Sequence, residues 1–189
     1  MVLLGVVGCE PPAAKPPAKQ LPPPSPPVVD LTGKEVGPIA QADGPVALIF
    51  VRSDCPISNR YAPELARLLD EYPSRGVAMH LVYCDSSQTP AAIAKHLKEY
   101  NLPDHALIDA GHRLVKLTGA TITPEAAVFD AKGQMVYRGR IDDRFVDFGQ
   151  ARPAATEHDL REALEALLAG KPIKKAKTQA VGCYITDLQ

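Results

Sequence analysis

The stretch Val46-Ala-Leu-Ile-Phe-Val-Arg-Ser-Asp-Cys-Pro-Ile-Ser-Asn-Arg-Tyr-Ala-Pro-Glu-Leu-Ala-Arg-Leu-Leu-Asp-Glu-Tyr72 decides the fold. Its first six residues form an unbroken apolar run, fenced by Gly44-Pro45 before it and by polar residues after it. Such a run predicts a central strand buried on both faces. From Pro56 the period changes. Ile57, Tyr61, Leu65, Leu68 and Tyr72 recur at steps of three and four, which predicts a helix with one apolar face, and Pro63 inside it predicts a kink. Cys55 falls at the corner between strand and helix. A thiol there meets backbone N–H groups that have no partner inside the helix, and the positive end of the helix dipole. Both favour the thiolate, the nucleophilic form. Pro56 suits the first helical position. Arg52 and Arg60 bring positive charge to the neighbourhood, and Asp54 opposes it.

Working outward, Val77 to Tyr83 reads as a second apolar strand, and Thr89-Pro90 as the cap and first residue of a helix with Ile93, Leu97 and Tyr100 on its apolar face. Ala106 to Ile108 is a short strand, and residues 111 to 118 a short helix with Leu114, Val115 and Leu117 apolar. Ala126–Phe129 and Gln134–Gly139 form a hairpin about the turn Asp130-Ala-Lys-Gly133. Thr156 with Asp159 suggests a capping arrangement for a last helix carrying Leu160, Leu164, Leu167 and Leu168, stopped by Gly170 and Pro172. Upstream, Val28 to Val36 reads as two short extended pieces around Thr32-Gly33. The alternation implies parallel strands with right-handed crossovers, and the late hairpin an antiparallel edge. The fold class is therefore α/β: a three-layer sandwich, a central mixed sheet flanked by helices, over residues 28–170. A tail, 171–189, has no clear period.

The chain has 189 residues, of which 21 are basic and 22 acidic, and 46% are hydrophobic. That suits one domain of ordinary size. The near-zero charge argues against a nucleic-acid partner, which calls for a basic surplus. No apolar stretch reaches the 18 or more residues of a membrane-spanning helix. Of the 19 prolines, nine fall between Pro11 and Pro27. Residues 10–27 therefore read as a semi-rigid polyproline-II spacer. Before it stands Met1-Val-Leu-Leu-Gly-Val-Val-Gly-Cys9. The end of this run, Val6-Val7-Gly8-Cys9, resembles the lipobox of bacterial lipoprotein precursors. The resemblance implies that segment 1–8 is removed and that Cys9 is lipidated. Residues 9–27 would then tether an extracytoplasmic domain to a bacterial membrane, on its periplasmic side. The basic segment that ordinarily opens such a signal is missing.

Cys55-Pro-Ile-Ser-Asn-Arg-Tyr-Ala-Pro63-Glu-Leu65, after an apolar strand, resembles the thioredoxin superfamily. That family places a Cys-x-x-Cys motif at a helix start, with a proline eight residues after the first cysteine. Cys55 and Pro63 match, and Ser58 stands at the second cysteine position. Thr123-Pro124 looks like the family's cis-proline, which lies beside the active cysteine. The helix and strand inserted between residues 89 and 110 are similar to the redoxin branch, which includes thiol-specific antioxidant and alkyl hydroperoxide reductase-like proteins. The resemblance covers roughly residues 28–170.

It implies a thioredoxin-like fold and thiol redox chemistry on Cys55; no feature of the sequence points to a nucleotide, flavin or haem cofactor or to a metal. The partner would be a thiol or disulfide protein, a small thiol or a peroxide. By the same analogy, Thr123 and Pro124 leave backbone free to pair with an incoming extended peptide. Ser58 cannot close a disulfide within the motif, so a resolving thiol comes from elsewhere. Cys183, in Val181-Gly182-Cys183-Tyr184 of the tail, and Cys84, at the end of the second strand, are the candidates. Among the charged residues Arg138, Arg140, Asp142, Asp143 and Arg144, Arg140 is the candidate to steer substrate or stabilise a Cys55 thiolate. The others read as surface ion pairs.

Three other functions compete. A peroxiredoxin-like peroxidase would oxidise Cys55 to a sulfenic acid, but that family's threonine three residues before the cysteine is Arg52 here. A copper(I)-binding assembly factor of the Sco type would need Cys55, Cys183 and His112 to replace its Cys-x-x-x-Cys and histidine, because Asn59 stands at its second cysteine position. A binding domain without turnover is the reading that Ser58 permits. The five histidines show no metal spacing.

Overall fold

The computed structural model describes residues 28–186; Cys9, the lipobox-like segment and the spacer lie outside the described residues. β1 (Val28–Asp30) and β2 (Glu35–Val36) turn about Asp30, whose carboxylate accepts the N–H groups of Thr32 and Lys34 at 2.8 and 3.0 Å. Then follow β3 (Val46–Val51), α1 (Pro56–Glu71), β4 (Ala78–Tyr83), α2 (Pro90–Glu99), β5 (Ala106–Ile108) and α3 (Arg113–Thr118). The second half runs β6 (Ile122–Thr123), β7 (Glu125–Phe129), β8 (Met135–Gly139), β9 (Phe145–Asp147), β10 (Gln150–Ala151), α4 (Asp159–Leu168) and β11 (Cys183–Tyr184).

Seven strands form one sheet in the order β2-β1-β5-β4-β3-β7-β8. β3, β4 and β5 are parallel, while β1, β7 and β8 join antiparallel. β3 is buried along its whole length, and its side chains alternate between two cores. Ala47, Ile49 and Val51 pack with Ile57, Leu65 and Leu68 of α1, Ile93 of α2 and Leu164 of α4. Val46, Leu48 and Phe50 pack on the other face with Leu114 and Val115 of α3. Two helical layers therefore sandwich the sheet, and this explains why β3 reads as continuously apolar.

α1 continues through Pro63, which has no N–H to offer the Asn59 carbonyl one turn back. The capping expected of Thr156 and Asp159 does not form. Thr156 donates its N–H and hydroxyl to Asp143 at 2.6 and 2.5 Å, and the cap residue of α4 is His158, with no side-chain cap bond. Leu117 and Tyr100 are exposed, not part of the apolar faces expected for them. The β9–β10 hairpin has no counterpart in the sequence reading, because Val146 and Phe148 face outward and leave no alternation.

The tail is ordered along the β8 edge. Arg138 donates its N–H to Ala176 at 2.9 Å, and Thr178 returns one to Arg138 at 3.1 Å. The chain then crosses to β6, where Cys183 pairs with Thr123 and Tyr184 with Ile122, antiparallel.

Candidate functional site

The three parallel strands deliver their C-terminal ends to one edge, where β3 has β4 on one side and β7 on the other. α/β folds place sites where the connections diverge in this way. Cys55 leaves β3 at this edge and caps α1, its sulfur accepting the Ser58 N–H at 3.4 Å. As a thiol it donates to the Thr123 carbonyl at 3.1 Å. The Thr123–Pro124 peptide bond is cis, as the resemblance implied. The loop between β3 and α1 is braced from behind. Asn59 donates its side-chain amide to the Ser53 carbonyl at 2.8 Å. Its amide oxygen accepts His96 Nε2 at 2.9 Å, so His96 Nδ1 accepts the Tyr83 hydroxyl at 2.8 Å. Burial holds the His96 pKa below the ordinary value and keeps the ring neutral in this chain of bonds.

Cys183 is half-buried beside Cys55, and both are free thiols. Burial pushes the Cys55 pKa up, but hydrogen bonds from the Cys183 thiol, then from the Ser58 hydroxyl and N–H, outweigh it. The net displacement is downward. Cys183 moves the other way, to about 12, first through burial and then because its proton is held by Cys55. The two thiols are thus displaced in opposite directions, the Cys55 thiolate being favoured and the Cys183 thiol keeping its hydrogen. Ser58 supports that division. While Cys55 is a thiol the buried Ser58 hydroxyl has no hydrogen-bond partner, and it can turn its hydrogen to the sulfur once Cys55 is ionised, which is how it lowers that pKa.

Two expected site residues are not brought to Cys55. Cys84 points to the Val51 carbonyl at 3.7 Å and packs in the core on the α3 side of the sheet, whereas Cys55 belongs to the opposite core. Burial pushes its thiol up to about 12, so it is a buried apolar residue and not a resolving thiol. Arg140 is spent at the start of α4, donating to Asp159 at 2.7 Å and to Glu157. Alternate side chains of adjacent strands face opposite ways, and neither residue's sequence position reveals which way. His112 gives its Nε2 to the Cys84 carbonyl at 2.7 Å, away from the two sulfurs. Among the described residues no three His, Cys, Asp or Glu side chains are grouped to hold a metal ion.

Arg52, noted in the sequence for its charge and for standing where peroxiredoxins carry a threonine, has a further connection. It pairs with Asp54 at 2.9 Å and reaches the tail, donating to the Tyr184 carbonyl at 3.5 Å and the Thr186 hydroxyl at 3.3 Å. Gly182 is the other residue whose part was not read. A Cβ there would stand 2.0 Å from the Thr123 carbonyl oxygen, so only glycine lets the tail approach β6 so closely. A glycine directly before the tail cysteine was the available signal.

The sequence profile of the Redoxin family matches residues 16–151. The thiol-disulfide oxidoreductase ResA of Bacillus thuringiensis subsp. konkukian is 26% identical over 109 residues, 58% of this chain and 62% of ResA. The chain thus spans less than two thirds of that relative's length. An uncharacterized conserved protein from Geobacillus kaustophilus superposes with a TM-score of 0.74 at 26% identity, covering 94% of this chain and 97% of that one. The fold is also that of a secreted disulfide oxidoreductase of Mycobacterium tuberculosis, with a TM-score of 0.55 at 20% identity, over 77% of this chain and 96% of that one.

Proposed function

The chain belongs to the redoxin family, and from that premise we propose that it is a membrane-tethered, extracytoplasmic thiol-disulfide oxidoreductase. In this reading Cys55 is the nucleophile and Cys183 the resolving thiol. The observation that carries it is the placement of the two thiols: β11 pairs Cys183 with Thr123, whose carbonyl accepts from Cys55 at the start of α1, and the pKa of Cys55 is displaced downward while burial first, and then Cys55, raise that of Cys183. The ResA likeness over 109 residues supports the reaction class. The lipobox-like Val6-Val7-Gly8-Cys9 and the proline-rich spacer support the tether.

The exchange balances as follows. The Cys55 thiolate attacks one sulfur of a partner disulfide. A Cys55–partner bond forms, the partner's S–S bond breaks, and its second sulfur leaves as a thiolate. That thiolate takes up a proton from water, and the Cys183 thiol gives its own proton to water as it approaches the mixed disulfide. The Cys183 sulfur, now ionised, attacks Cys55. The Cys55–Cys183 bond forms and the partner departs reduced by two electrons. An external dithiol returns the pair to its starting state, and the reverse sequence oxidises a partner dithiol.

The test uses a Cys183→Ser variant and an aromatic disulfide as substrate. Oxidised wild-type protein is expected to lose two hydrogens in mass, mapping to a Cys55–Cys183 linked peptide. The variant is expected to stall as a Cys55 mixed disulfide. Oxidised wild-type protein without the linked peptide, or a variant that turns over at the wild-type rate, would reject the assignment.

A further inference from the structure

By analogy, the edge beside the cis-proline is where an incoming peptide pairs. Here that edge is taken by the chain itself. Cys183 and Tyr184 pair antiparallel with Thr123 and Ile122, and Ile185 adds an N–H to the Thr121 carbonyl at 2.9 Å. Thr123 donates its hydroxyl to the Cys183 carbonyl at 3.3 Å. Under this strap Cys55 is 1% exposed. An external disulfide therefore has no path to the sulfur while residues 182–186 lie in place.

The strap is fastened unevenly. Upstream, the tail is held by ladder bonds to Arg138, and by the Thr178 hydroxyl, which pairs with the Tyr137 hydroxyl at 2.8 Å and accepts the Arg140 N–H at 3.1 Å. Downstream, the fastening from the Cys55 side is Arg52. Its bonds to Tyr184 and Thr186 are stretched, at 3.5 and 3.3 Å, beyond the usual N–H···O range. Its shorter bonds, at 3.0 and 2.9 Å, go to Asp54. Ile185 adds a hold of its own, its N–H on the Thr121 carbonyl at 2.9 Å and its side chain buried in the core on the α3 side, so the strap lifts only when that side chain is withdrawn and the Arg52 bonds are broken.

We propose that residues Gly182–Thr186 are an internal competitor for the groove beside Cys55, held by Arg52 as a latch. The groove's external occupant is an extended, cysteine-bearing segment of a partner protein that adds a strand to the Ile122–Thr123 edge. The proposal rests on the Cys55–Cys183 assignment and deepens it. The partner reaches Cys55 in the fraction of molecules whose strap has lifted, so its apparent affinity is lowered by that fraction. When the strap returns, it brings Cys183 back to the sulfur under attack. Arg52 is a positioning residue in this account, acting through the strap.

The test alkylates reduced full-length protein with iodoacetamide and measures labelling of Cys55 relative to Cys84 by peptide mass. Cys84 is a buried thiol in the opposite core, so the ratio separates strap opening from general unfolding. Gly182→Ala drives a methyl group toward the Thr123 carbonyl and keeps every sulfur. It is expected to raise the Cys55:Cys84 ratio about tenfold, and Arg52→Ala several-fold, with Arg52→Lys restoring part of the protection. In Arg52→Ala the rate rises at every pH without a moved midpoint, which separates a latch from an electrostatic effect on the sulfur. A ratio unchanged in both variants would overturn the strap. Loss of the Cys55–Cys183 linked peptide in oxidised wild-type protein would instead remove the assignment beneath it, so the two failures are distinguishable.

Discussion

Cys55 and Cys84 make a controlled comparison within one molecule. Both leave the C-terminal ends of neighbouring parallel strands, and both are 1% exposed. Burial acts on each in the same direction, against the thiolate. Yet one is displaced downward and the other upward to about 12. The difference lies in what each sulfur faces. Cys84 gives its hydrogen to an acceptor, the Val51 carbonyl, which only a protonated thiol can satisfy, and after burial the charge of Asp109 raises its pKa further, with Arg52 opposing. Cys55 also gives its hydrogen to a carbonyl, that of Thr123, but unlike Cys84 it has donors around it as well: the Cys183 thiol and the Ser58 hydroxyl and N–H. The opposite displacements come from the donors around each sulfur and not from exposure, which is the same for both.

The largest test of this contrast is functional. Cys55→Ser is expected to lower disulfide-reduction turnover by at least about a thousandfold, because the nucleophile is gone. Cys84→Ala is expected to leave turnover within about twofold, since that thiol is neither ionised nor near the reacting sulfur. Insulin reduction by the two purified variants would check both. A large loss in the second would mean that Cys84 exchanges with Cys55, contrary to their separate cores.

The next effect is on stability. In the unfolded chain Cys84 ionises at about 8.5, while in the fold it keeps its proton to about 12. Between those values the unfolded state binds fewer protons than the native state, so stability falls as pH rises. At pH 10 this amounts to about 2 kcal/mol of lost stability from this residue. Urea denaturation at pH 7 and pH 10 is expected to show a smaller drop for Cys84→Ala than for wild-type protein. Equal drops would mean that Cys84 titrates normally in the fold.

The same contrast explains what was legible in the sequence. β3, α1 and α2 were readable to within a residue or two because apolar runs, helical spacing and proline caps are local signals. The Cys55 corner was readable for the same reason: strand end, N-cap position and Pro56 are neighbours in the chain. The choice between Cys183 and Cys84 was not readable. It depends on which face of a strand a side chain takes and on how a tail without period crosses to β6. That crossing turns on Gly182, whose bare Cα lies against Thr123, a residue 59 positions away by number. Arg140 misled because a guanidinium near a sheet end looks available until Asp159 and Glu157 are placed beside it. Thr156 misled likewise: its partner, Asp143, is 13 residues away and not in the helix it precedes.

The smallest effect tests the donor argument most directly. The Ser58 hydroxyl is buried and unpaired while Cys55 is a thiol, so the uncharged state gains little from it. The thiolate gains a hydrogen bond, and removal of the hydroxyl therefore moves the Cys55 pKa upward. A bond to a charged acceptor is worth about 1.5 kcal/mol, or roughly one pKa unit, and half of that is expected at the longer reach of sulfur. In Ser58→Ala the thiolate fraction at a pH below the midpoint falls by about threefold. Part of this returns as intrinsic nucleophilicity, which rises with pKa, so exchange slows by about twofold. Removing an unsatisfied buried hydroxyl leaves no orphaned partner, so stability is expected to hold or rise slightly. The signature is a variant that is no less stable and yet slower, with its thiolate absorbance at 240 nm titrating at higher pH. A midpoint unmoved by the substitution would show that the Ser58 N–H and Cys183 alone hold the charge.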